Sequence, residues 1–132
     1  MNEKKAGKEQ LKLQWKKIAT ATTRAGFGDP VGGSTIAIAC IFNDAGVLVG
    51  ERLVDRAGQN CGTKPKPCWK NTGKQGVQYQ DKLGTEDGIV KLQFVGGAAT
   101  KGKAAAQGKN NAPKGINSLP TGLAAALAAL SW

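Results

Sequence analysis

Apolar and polar residues alternate with a period of two over much of the chain, the signature of half-buried β-strands. In "LKLQW", Leu11, Leu13 and Trp15 share one face while Lys12 and Gln14 take the other. "STIAIACIF" sets Ile36, Ile38, Cys40 and Phe42 on one side and Ala37, Ala39 and Ile41 on the other; with both faces apolar it reads as a central strand. The turn signal "NDAG" separates it from "VLVGERLV", so residues 36 to 54 are expected to form a β-hairpin. Farther on, "GVQYQDK" alternates Val77, Tyr79 and Asp81 against Gln78, Gln80 and Lys82. After "GTEDG", the segment "IVKLQFV" groups Val90, Leu92 and Phe94, which predicts a second hairpin. "ATKGKAAAQGK" keeps the alternation but is rich in the poor strand formers Gly and Ala, and is expected at a sheet edge.

Five or six short strands between Gly, Pro and Asn turns predict an all-β, antiparallel β-sandwich-like fold. Its core is expected to gather Trp15, Ile36, Ile38, Phe42, Leu92 and Phe94. The 132 residues hold one domain and one core. Residues 1–9 read as a disordered basic tail and 10–109 as the β-module. Residues 110–132 read as a loop, "GKNNAPKG" running into it, and a short Ala/Leu-rich helix behind Thr121. No segment approaches the ~20 apolar residues that span a bilayer. The charged start lacks the apolar run of a signal peptide, so any export address is expected upstream of this chain.

Charge changes the picture. The net charge is +10, and it is uneven. Residues 1–24 carry seven positive and two negative groups, 25–87 carry seven of each, and 88–132 carry five lysines and no acid. Sixteen of the nineteen cations are lysine; only Arg24, Arg52 and Arg56 have the bidentate fork that reads phosphates and guanine edges. Histidine is absent, which removes the commonest general base and imidazole metal ligation. Neither a dinucleotide fingerprint nor a phosphate-binding P-loop occurs. The chain is not expected to be an enzyme, and no cofactor is expected.

Three constellations carry candidate chemistry. Cys61 and Cys68 flank "GTKPKP" with Trp69 directly after; the spacing suits neither a C-x-x-C redox pair nor a zinc knuckle, and predicts a disulfide in an oxidising compartment. Trp69 is expected to pack over the bridge and not to serve as a ligand platform. Cys40 is left as an unpaired thiol, either a small core residue or half of a bridge to a partner outside the chain. Asp81, Glu86 and Asp87 in "DKLGTEDG" form a candidate weak calcium site, although Asp-Gly here equally reads as hairpin-turn geometry. Lys101, Lys103, Lys109 and Lys114 form a candidate polyanion surface, against the simpler reading of a solvated face whose lysines discourage edge pairing. No aromatic residue lies between Phe94 and Trp132 to stack bases, so nucleic acid is not an expected partner.

The strings "KLQWKK", "FGDP", "IACIFNDAG", "AGQNCGTKPKPCWK", "YQDKLGTEDGI" and "GKNNAPKG" resemble a β-sandwich module type of secreted and cell-surface proteins of environmental bacteria. The resemblance covers roughly residues 11 to 119. It implies an extracellular or cell-surface location and other domains of a larger chain as partners. Two departures stand out: an extra Lys-Pro between the cysteines, and no final strand with a fourth cysteine, which would make Cys40 an orphaned half-bridge. The expected role is a non-catalytic structural or adhesion module, with polyanion binding, to acidic glycan or nucleic acid, as the alternative.

Overall fold

The structure is a computed structural model and describes residues 10–109. The expected tail at 1–9 and the loop and helix expected over 110–132, with Lys114, lie outside the described residues. In chain order the strands are β1 (Gln10–Ile18), β2 (Ala37–Phe42), β3 (Leu48–Val54), β4 (Asn60–Cys61), β5 (Lys66–Pro67), β6 (Trp69–Thr72), β7 (Gly76–Gln80), β8 (Ile89–Val95) and β9 (Gly102–Lys109). A single 3-10 turn, Arg24–Phe27, lies between β1 and β2. Five strands form one antiparallel sheet in the order β1-β9-β8-β7-β6; β2 with β3, and β4 with β5, form separate two-stranded sheets. The fold is therefore all-β and antiparallel, as the alternation predicts.

Cross-strand register places one apolar row after another on the inner face of the large sheet. Leu13 pairs with Ala106 and Ala106 with Leu92, which pairs with Tyr79 and Tyr79 with Trp69. The next row runs Trp15, Ala104, Phe94, Val77. Against this face lies the β2–β3 hairpin, whose Ile41 and Val54 are buried in the same core cluster as Leu11, Leu13, Leu92 and Tyr79. Each such aliphatic side chain stabilises the fold by about 1.5–3 kcal/mol relative to exposure.

Three expectations are corrected. The Gly- and Ala-rich strand β9 is not an edge: it sits between β1 and β8, and the edges are β1 and β6. Its small residues are tolerated because larger neighbours flank them, Trp15 and Phe94 both standing opposite Ala104. The β2 face is inverted. Ile36 and Ile38 are 48% and 53% exposed, and the half-buried Phe42 shares the outer side, while Ala37 and Ile41 turn inward. With apolar residues on both faces the alternation could not choose, and the small alanines allow the closer approach to the sheet. In β8 a register shift between Ile89 and Lys91 puts Ile89, not Val90, in the core.

Two polar clamps hold the hairpin and the preceding segment in place. The Asp87 carboxylate accepts a hydrogen bond from the Leu53 N–H at 2.9 Å, and Arg56 pairs with Glu86 at 3.1 Å. The Arg24 guanidinium donates to the carbonyls of Gly76 and Gly73 at 3.0 and 2.6 Å, tying the 3-10 turn to the β6–β7 connection.

Cys61 and Cys68 are joined in a disulfide that closes the loop carrying β4 and β5. Closing so short a loop removes entropy from the unfolded chain worth about 2–3 kcal/mol. Reduction should therefore lower the melting temperature by roughly 10–20 °C for a domain of this size, measured by calorimetry with and without a reductant. An unchanged transition would mean that the loop is held without its staple.

Candidate functional site

The acidic constellation is built into the fold. Asp81 is 1% exposed, and its carboxylate accepts the N–H groups of Leu83 and Thr85 at 3.0 Å each and the Tyr79 hydroxyl at 3.5 Å. It thereby organises the β7–β8 turn, which needs positive φ at Gly84, Asp87 and Gly88. Glu86 and Asp87 are committed to Arg56 and to the hairpin backbone. Asp81, Glu86 and Asp87 thus serve three different partners, and among the described residues no group of three or more His, Cys, Asp or Glu side chains is placed to hold a metal ion.

Trp69 is equally committed. Its ring stacks on Phe94 at 6.3 Å and lies tilted against Tyr79 at 5.3 Å, with Phe27 continuing the cluster on Phe94 at 5.5 Å. Such pairs contribute about 0.5–1.5 kcal/mol beyond their buried area. At 2% exposure the indole is a core element and offers no platform to solvent. Cys40 is a free, half-buried thiol on β2, opposite Glu51.

The solvent side of the large sheet is different. In register, one row reads Lys12, Gln107, Lys91, Gln80; the next Gln14, Ala105, Gln93, Gln78, Lys70; the third Lys16, Lys103, Val95, Gly76, Thr72. Gln10 and Lys109 pair at one end. The five strands contain seven lysines and not one carboxylate. Every acid of the described chain, from Asp29 to Asp87, lies on the hairpin or in a connection. Charge is thereby sorted by face.

Of the lysines singled out from the sequence, Lys103 and Lys109 lie on this face, and Lys101 sits in the turn before β9. The four that join them, Lys12, Lys16, Lys70 and Lys91, come from β1, β6 and β8. Their common signal was legible: each occupies the polar phase of an alternating strand. That these strands are neighbours was not.

Between Lys16 and Lys103 the face is hollowed. A shallow depression of about 280 Å³ is lined by residues of β1, β8 and β9, among them Gln14, Trp15, Lys16, Gln93, Lys103 and Ala105. The short side chain of Ala105 supplies its floor. Lys16 and Lys103 stand directly opposite in the register, a like-charge pairing that costs the sheet stability.

No family model matches the chain, and no curated protein and no solved structure matches it either. No helix among the described residues is long and apolar enough to cross a membrane.

Burial shifts the ionisation of two side chains. The Arg52 guanidinium, 7% exposed, is pushed down by loss of solvent, with the Asp87 charge opposing. Burial, reinforced by the Asp81 charge, pushes the Tyr79 phenol well above its usual value. A phenol whose folded value exceeds its unfolded value of ~10 stabilises the fold fully below pH 10 and less as pH rises beyond it, by about 1.4 kcal/mol per unit. Tyr79 is the chain's only tyrosine. Tyrosinate absorbance should thus stay absent in the folded protein through pH 10 and emerge only on unfolding, whereas in denaturant it should titrate near 10. A normal titration of the folded protein would contradict the buried phenol.

Proposed function

We propose that this chain is a non-catalytic adhesion module of a secreted or surface-attached protein, and that it holds polyanions on the lysine–glutamine face of its large sheet. One observation carries the reading: five strands that bear seven lysines and no carboxylate, aligned so that most of those lysines share one solvent-facing surface. A merely solvated face is better served by mixed signs, because interspersed charges avoid self-repulsion. The staple between Cys61 and Cys68 is compatible with an oxidising compartment and so with an extracellular location.

Each exposed ion pair contributes at most ~1 kcal/mol, so single contacts cannot hold a ligand. Release of counterions from about five simultaneous contacts gives a usable affinity that depends steeply on salt. Replacing Lys12, Lys91 and Lys103 by Gln should weaken retention on an immobilised polyanion. In solution it should reduce the log-log salt slope by roughly 2–3. The control replaces Lys64, Lys66 and Lys74, exposed residues off the face, by Gln, with the same change in net charge. Equal loss in both triple variants would reduce the effect to net charge and remove the reading.

A further inference from the structure

The same face also constrains what kind of polyanion it fits. Single-stranded nucleic acid is held by aromatic platforms under its bases, and arginine forks give bidentate contacts to phosphate. This face has neither. Trp69, Tyr79 and Phe94 are on the opposite side of the sheet, and Trp15 shares their phase in the register although it also borders the depression. Arg24 is spent on backbone carbonyls, Arg52 is buried, and Arg56 pairs with Glu86.

Spacing adds to the argument. Lys12 and Lys91 share a row two strands apart, a separation of about 10 Å, with Gln107 between them. A nucleic-acid strand carries a charge about every 3.4 Å along its axis, far denser than these lysines. A polyuronate, with one carboxylate on each sugar ring, is sparser, and it presents hydroxyl groups between its charges. Side-chain amides suit hydroxyls because each both donates and accepts. Gln14, Gln78, Gln80, Gln93 and Gln107 fill the spaces between the lysines.

We infer that the face binds a carboxylated polysaccharide, and that the depression over Ala105 seats one uronate ring with its carboxylate between Lys16 and Lys103. This rests on the polyanion reading of the face. The unfavourable pairing of Lys16 with Lys103 gains a purpose, since an anion placed between them turns repulsion into two charge-assisted hydrogen bonds. Gln14 and Gln93 border the same depression and reach the ring hydroxyls. The 280 Å³ hollow has room for a sugar ring because Ala105 presents only a methyl group.

The test is calorimetric titration of the whole chain with size-fractionated polygalacturonate, and with single-stranded and duplex DNA oligonucleotides, at one fixed ionic strength. Polygalacturonate should bind at least tenfold more tightly than either DNA. Ala105→Leu fills the hollow without changing charge and should weaken polygalacturonate at least tenfold, while binding to a charge-dense sulfated polymer that has no carboxylate, such as dextran sulfate, persists. Lys16→Gln with Lys103→Gln should weaken polygalacturonate by about tenfold or more. This variant stands in if Ala105→Leu fails to give the wild-type circular dichroism and melting transition.

DNA bound as tightly as polygalacturonate would overturn this inference and leave the polyanion reading standing. Polygalacturonate binding indifferent to both variants would overturn the assigned seat. No binding to any of the polymers would overturn the inference and the polyanion reading together.

Discussion

The antiparallel pairing of β1 with β9 is the constraint on which the structure turns. It joins residues 10–18 to residues 102–109, so the two ends of the described chain meet at one margin of the sheet. Leu11 and Leu13 are buried only because this pairing sets them beside β9, against the hairpin core. Such a contact closes nearly the whole described chain into a loop, so its loop-closure entropy must be met before its stabilisation is realised. Without it β9 would be an edge strand of Gly and Ala with little to bury.

The pairing also gathers charge. Lys12 and Lys16 of β1 and Lys103 and Lys109 of β9 share a single surface once β1 lies beside β9, and Lys91 and Lys70 extend it over β8 and β6. The acids do the opposite work. Asp81 shapes a turn by accepting backbone N–H groups, while Asp87 and Glu86 bind the hairpin to that turn. Carboxylates are used where they stabilise the fold, and lysines are left where solvent or a ligand can reach them.

The aromatic cluster and the disulfide reinforce the other margin of the sheet. Trp69 on the edge strand β6 is held by Tyr79 and Phe94, and Cys68, one residue before it, is bridged to Cys61. The short edge strand thus gains rigidity from its neighbours' rings and from a covalent link. The opposite edge, β1, depends on backbone pairing and on Leu11 and Leu13. The two margins of the proposed binding face are therefore stabilised in different ways, and the lysines of both stand on ordered strands.

The sequence alone determined that the described chain is β-rich, where its two main hairpins turn, that Cys61 and Cys68 form a bridge, and that Leu11, Leu13 and Trp15 face inward. Each of these follows from local alternation, turn chemistry or spacing, which act over a few residues. Only the tertiary structure decided that Ala37 and Ile41, not Ile36 and Ile38, turn toward the core, because an element apolar on both sides takes its orientation from what it packs against. Strand order was likewise beyond local pattern: nothing in "GKAAAQGK" says that Trp15 and Phe94 will flank Ala104 and make an interior strand of it. The candidate face shares that origin. Its lysines and glutamines were legible one strand at a time, but a surface exists only where long-range pairing sets those strands side by side.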